Sequence, residues 1–203
     1  MLKRDALVIA SIVAVAGGSP SLGETPDAAA AREALISLRS CETSDLPPIL
    51  DLIKKYRKSD DVDVKVVVAE AESRVTFVYW FQDMKPEARS NSKKIVQAYE
   101  NQADERLQVI AAQARLLLAQ MEPNGSKKRA YVEPLILRYK DSKNLGLLYS
   151  YGQALDTIAG IERGTEKDDD GRRLAEEAHE VFDAVAKQRP PVTDHTGVND
   201  VCV

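Results

Sequence analysis

The densest set of hard oxygen ligands in the chain is the run Glu166-Lys-Asp168-Asp-Asp170-Gly171-Arg-Arg-Leu-Ala-Glu-Glu177. It places Glu166, Asp168, Asp170 and Glu177 at positions 1, 3, 5 and 12 of a twelve-residue calcium-binding loop, with Gly171 at position 6 where the backbone must turn sharply. Two residues depart from that pattern: Glu166 stands where the shorter Asp is usual, and Arg173 occupies a position that is normally apolar. The competing expectation is a solvated acidic loop, from 164 to 171, whose Asp170 caps the helix that follows. Calcium is the one cofactor the residues point to.

The remaining reactive side chains do not converge in sequence. Cys41 and Cys202 lie far apart, and neither neighbours a histidine or a cationic cluster that would activate a thiolate. His179 shares a helix face with Glu176 without further spaced ligands, and His195 stands in a polar tail. No phosphate-cradling glycine loop, nucleophile elbow or His-Glu-x-x-His motif occurs. Asn124-Gly125-Ser126 is a glycosylation sequon that only a eukaryotic host would use. Lys54-Lys55, Lys93-Lys94 and Lys127-Lys128-Arg129 are scattered among acids and read as solvated helix faces. Phe77, Tyr79, Trp80 and Phe81 form the one aromatic concentration and the candidate partner-binding surface, because exposed rings serve as interface anchors; the alternative is burial between helices.

Composition narrows the classes of function. The 203 residues are 44% hydrophobic and 30% charged, enough apolar matter for a packed core. Only 5% are aromatic, too few for base-stacking platforms, and a net charge of −4 argues against nucleic acid as the partner.

At the N-terminus, Lys3 and Arg4 precede an apolar run from Ala6 to Ala16, which gives way to Gly17, Gly18, Ser19, Pro20, Ser21 and Gly23. A basic start, an apolar stretch of about ten residues and a small-residue exit describe a secretory signal peptide, residues 1–23. Cleavage after Ala16 is the competing site. The run is shorter than the roughly 20 apolar residues a membrane span requires. Removing 1–23 takes away two basic residues and one acidic residue, moving the charge from −4 to −5. Export to a periplasmic or extracellular compartment would favour a Cys41–Cys202 disulfide, which closes a loop of about 160 residues and removes on the order of 4–5 kcal/mol of unfolded-state entropy.

Beyond the leader, the chain reads as helices joined by short turns. Thr25-Pro26-Asp27 starts a helix over 28–38, and Ser44-Asp45 caps another over 46–58. Residues 62–81 follow helical spacing through Val64, Val67, Val68, Ala71, Val75 and Val78; a hairpin of 62–68 with 74–81 is the alternative, on the alternation of Val62, Val64, Val66 and Val68. Pro86 opens a segment whose apolar stripe runs unbroken from Ile95 to Met121, predicting one helix of about 28 residues, near 42 Å long. Helices over 130–139, 145–161 and 172–187 complete an all-α single domain, 24–189, with a tail at 190–203.

Leu46-Pro-Pro-Ile-Leu-Asp-Leu-Ile-Lys-Lys-Tyr56 and Val132-Glu-Pro-Leu-Ile-Leu-Arg-Tyr139 both open on proline and end on a basic-Tyr pair, and helical units begin near 45, 87 and 129, about 42 residues apart. The stretch Leu46–Ala71, with its Asp-rich turn, resembles one HEAT repeat. The expected architecture is thus an irregular helical bundle or a short HEAT-like stack of six to seven helices. The expected function is a non-catalytic scaffold that binds another protein, with no nucleic-acid partner and no transmembrane segment in the mature chain. The alternatives are an inhibitor or immunity protein against a toxin enzyme, an exported effector, and a small-ligand-binding protein or enzyme whose residues come from distant helices.

Overall fold

The computed structural model describes residues 25–37, 42–163 and 165–188. Among these, every regular element is helical: α1 (Pro26–Ile36), a 3-10 turn (Thr43–Asp45), α2 (Leu46–Tyr56), α3 (Val62–Phe81), α4 (Lys85–Tyr99), α5 (Glu105–Gln120), α6 (Gly125–Tyr139), α7 (Leu145–Glu162) and α8 (Asp168–Gln188). The all-α expectation holds, and the hairpin alternative at 62–81 falls: that stretch is one helix. The leader at 1–23, both cysteines, His195 and the tail at 190–203 lie outside the described residues. Contacts divide the chain into two compact units, 25–114 and 115–188, with the boundary inside α5.

The expected long helix after Pro86 is two, and the sequence holds no Gly or Pro between them. Asp104 makes the break. Its carboxylate accepts the Arg106 backbone N–H at 2.8 Å and is forked by the Arg106 guanidinium at 2.7–3.2 Å. A capped N-terminus satisfies amides that a continuous helix would have bonded internally, so the chain can restart without a helix breaker. The uninterrupted stripe misled because both helices bury their apolar faces, while the connecting Asn101, Gln102 and Ala103 are all exposed.

That break exposes a threefold recurrence. Helices α2–α3, α4–α5 and α6–α7 form three successive pairs, and in each the first helix ends on tyrosine: Tyr56, Tyr99 and Tyr139. Three residues later a backbone N–H returns to the tyrosine carbonyl, from Ser59 (2.9 Å), Gln102 (3.2 Å) and Ser142 (3.1 Å). Two residues further comes the cap: Asp61, Asp104 or Asn144. Ser59 and Ser142 each accept the cap's own N–H at 3.2 Å. Asp61 accepts from Asp63 and Val64, and Asn144 from Gly146 and Leu147. The buried positions recur too. Leu52, Ile95 and Leu135 precede the tyrosines by four, Val64, Leu107 and Leu147 follow by eight, and Ala71, Ala114 and Ala154 follow by fifteen. Alanine recurs at the last of these positions, where each side chain is buried and a larger one would overfill its surroundings.

In the first unit α3 is the centre. Twelve of its twenty residues are buried, on all sides of the helix, as a helix wrapped by neighbours requires. It packs against α1, α2 and α4. The α3–α4 corner is a Schellman turn: Met84 N–H bonds Tyr79 O at 2.8 Å and Asp83 N–H bonds Trp80 O at 3.2 Å. Asp83 sits there at φ 57°, the left-handed conformation that glycine adopts without strain. A half-buried salt bridge connects Arg106 to Asp63, at 2.8 Å, tying the first turns of α3 and α5.

In the second unit α7 packs against both α6 and α8. Gly152 makes the α7–α8 approach possible: a Cβ there would lie 2.8 Å from the Phe182 ring and 3.0 Å from Val181 Cγ1. Two expectations need correction here. Helix α6 begins at Gly125, capped by Asn124 accepting from Lys127 N–H at 3.0 Å, so Pro134 lies inside the helix rather than near its start. Its missing N–H leaves the Ala130 carbonyl without the usual bond. The acidic loop is also shorter than expected, because Asp168, Asp169 and Asp170 form the first turn of α8, where carboxylates face the positive end of the helix dipole.

Two substitutions test these seams. Asp83→Gly should stabilise the chain by about 0.5–1 kcal/mol by relieving the left-handed residue, read as a higher urea midpoint at unchanged slope. Gly152→Ala should destabilise by about 1–3 kcal/mol through overpacking against Phe182, read in the same titration.

Candidate functional site

The polar groups of the first unit gather on α3. Glu70 and Glu72, two residues apart, point to different neighbours. Glu70 is 8% exposed and pairs with Arg32 of α1 at 3.1 Å. Arg74, one turn on, donates to the Leu35 carbonyl at the end of α1 at 2.6 Å, and Thr25 O–H donates to the Asp61 carboxylate at 2.6 Å. Toward α4, Glu72 accepts from Tyr99 O–H at 3.0 Å, while Asn91 donates to both Glu72 O and Thr76 Oγ1 at 2.8 Å. The Ser92 hydroxyl, fully buried on α4, has no hydrogen-bond partner among the described residues.

Burial pushes the Glu72 carboxyl above its ordinary range, against the opposing influence of the Tyr99 hydrogen bond and of Arg57 and Lys94. Burial and the adjacent Glu72 carboxylate hold the Tyr99 phenol well above its usual value. A half-buried carboxyl beside a phenol and two cations is the kind of cluster found at functional sites and also in structural networks. Here the bonds run helix to helix: Tyr99 and Asn91 secure α4 to α3.

In the second unit, Arg129 of α6 forms a close ion pair with Glu162 at the end of α7, and Glu162 is 7% exposed. Gly171 of α8 lies against it, with a Cβ position 3.1 Å from Glu162 Cβ. Tyr151 donates a short hydrogen bond to Glu177, and burial with that carboxylate raises the Tyr151 phenol. Arg163, Asp168, Gly171, Arg172, Ala175 and Glu176 line a surface depression of about 250 Å³. Its charges are largely self-neutralised, since Arg172 pairs with Asp168 and Asp169.

The four calcium-loop residues are not brought together. Glu166 lies in the turn, Asp168 and Asp170 in the first helical turn of α8, and Glu177 faces Tyr151. A straight helix sets Glu177 about 10 Å along the axis from Asp170, whereas a calcium loop must curl its twelfth residue back onto the first. Among the described residues no three potential ligands form a metal-sized group. The aromatic cluster is distributed round α3: Phe77 is buried, Tyr79 packs partly buried against the core shared with α1 and α2, Trp80 is half-buried, and Phe81 is 39% exposed. His179 is exposed, 3.9 Å from Asp183. Leu137, on the outer side of α6, is the most exposed large apolar side chain among the described residues, at 87%. Cys41 and Cys202 lie outside the described residues.

Position fourteen after each tyrosine is a feature that the sequence reading passed over. Glu70, Gln113 and Gln153 occupy it in turn, all Glu or Gln on otherwise apolar helix faces. Gln113 is 4% exposed, and its amide nitrogen has no acceptor among the described residues; the Gln153 carbonyl likewise has no donor. The signal was available once the tyrosines were aligned, and aligning them requires the break at Asp104. No helix among the described residues is long and apolar enough to cross a membrane.

The raised Glu72 carboxyl has a signed consequence. The neutral acid is favoured in the folded state, so its contribution is full below the unfolded value near 4.5 and declines as pH rises through the higher folded value. Glu72→Gln, which keeps an oxygen for Tyr99, should raise Tm at pH 7 by about 2 °C and leave it unchanged at pH 4, as calorimetry at the two pH values would report.

The chain matches no family model, no curated protein and no solved structure, so its own residues and geometry carry the functional reading.

Proposed function

We propose that this chain is an exported, non-catalytic helical scaffold that binds another protein. The observation that carries the reading is the threefold recurrence of a helix pair, with the Tyr56, Tyr99 and Tyr139 turns and the alanine column at Ala71, Ala114 and Ala154. Tandem helix pairs with a period near 40 residues are the unit of HEAT-like proteins, whose repeated outer faces serve as extended binding surfaces. Recurrence at fixed spacing constrains the faces between pairs and leaves the outer side chains free to differ, as a binding surface needs. The flanking helices fit the same plan. Helix α8 buries Gly171, Ala178 and Val185 against the unit and presents a charged outer face, the composition of a capping element.

Export rests on the leader-like segment at 1–23. In an oxidising compartment Cys41 and Cys202 form a disulfide and constrain the ends of the mature chain. The acidic charge and the dispersed basic residues support a protein partner over nucleic acid.

Affinity capture of the tagged mature chain from its native envelope or culture medium tests this directly. One protein partner at near-stoichiometric amount is the expected result. Recovery of the chain without protein but with a small molecule retained in native mass spectrometry would replace the scaffold by a ligand-binding protein.

A further inference from the structure

Helix α1 differs in kind from the pairs it joins. Its eleven residues bury only Ala28, Ala31 and Leu35. Ala28 rests on Val64 and Val68, while Ala31 and Leu35 meet Val67, Ala71 and Val75 of α3 together with Ile49 and Leu52 of α2. A helix of that length does not hold its shape alone in water, so the groove on α3 supplies what keeps α1 folded. Small side chains bury little apolar area, and the remaining attachment is polar, through Thr25–Asp61, Arg32–Glu70 and Arg74 to the Leu35 carbonyl. Segments with few buried apolar contacts and polar tethers occupy the low-stability end of a structure and open first.

The groove is also marked. Glu70, which receives Arg32, occupies the position that the other pairs fill with Gln113 and Gln153, and the Gln113 amide nitrogen is buried with no acceptor among the described residues. The repeat therefore keeps a polar group at the position where, in the first pair, an added helix makes an ionic contact.

We propose that the α1 seat on α3 is a helix-binding groove, that α1 is its built-in occupant, and that α1 yields to a partner helix of the same chemistry. That chemistry can be read from α1 itself: small residues at i and i+3, as at Ala28 and Ala31, an arginine at i+4 to meet Glu70, as at Arg32, and a leucine-sized residue at i+7, as at Leu35. The inference rests on the scaffold reading and deepens it, naming the place and the kind of partner.

The test uses the full chain and a fluorescent synthetic peptide of residues 25–37. Hydrogen exchange should show the α1 amides exchanging at least about 100-fold faster than those of α3. The peptide should bind the wild-type chain weakly. It should bind the Ala31→Phe chain about tenfold more tightly, because a ring at this fully buried alanine evicts α1 and removes internal competition. A peptide carrying Arg32→Glu should lose binding to both. Equal exchange in α1 and α3, or no change in anisotropy with either chain, overturns the proposal; the exchange measurement stands even if Ala31→Phe fails to fold. A protein partner whose capture is unaffected by saturating peptide removes the groove while leaving the scaffold reading intact. Peptide binding without any captured protein keeps the groove and removes the scaffold.

Discussion

The architecture depends on three oxygen-bearing caps. At Asp61, Asp104 and Asn144 a short side chain accepts amide hydrogens that the next helix would otherwise leave unpaired, and the tyrosine carbonyl five residues earlier closes the preceding helix. Each cap contributes only about 1 kcal/mol. Its larger effect is on register: with the turn length set, the residues that follow the tyrosines by eight and by fifteen are buried in every pair. A shift of one residue would rotate the second helix by about 100° and carry the alanines out of their buried positions.

Capping also explains the charge distribution. The carboxylates in first turns, Asp63 on α3 and Asp168 to Asp170 on α8, lie where the helix dipole favours them. Arg106 joins Asp63 to Asp104 and so ties the start of one second helix to the start of the next. The carboxyls turned toward neighbouring helices work differently. Glu70 and Glu162 are buried, where an unpaired carboxylate would cost several kcal/mol, Glu72 is half-buried, and each meets a partner from a neighbouring helix: Arg32 for Glu70, Arg129 for Glu162 and Tyr99 for Glu72. These contacts choose among neighbours that an alanine-and-valine surface alone would not distinguish.

Much of this was legible along the chain. Thr25-Pro26-Asp27 marked the start of α1, the spacing of Val64, Val67, Ala71 and Val75 marked α3 as helix, and Leu145 marked the start of α7. The misreadings share one cause. An Asp at the start of a helix and an Asp in a loop look alike in sequence, so residue type alone marks neither the restart at Asp104 nor the helical turn of Asp168 to Asp170. Clustered carboxylates serve either a cation or a helix N-terminus, and here Asp168 to Asp170 form the first turn of α8. Asp83 gave no sign of its left-handed backbone, because the turn around it is defined by hydrogen bonds to Tyr79 and Trp80 rather than by its own type.

Apolar period, cap chemistry and composition determined by themselves that this chain is helical and acidic, because those properties depend on composition and on neighbours within a few turns; the three helix pairs emerge only with the break at Asp104. Tertiary structure alone decided which polar group meets which. Glu70 with Arg32, Glu72 with Tyr99 and Glu162 with Arg129 join residues from 27 to 38 positions apart. It also decided that Gly152 yields space to Phe182 and that the alanines of α1 lie on the valines of α3. Local periodicity says which face of a helix is buried but not what covers it, and the covering element is set by packing between segments distant in the chain.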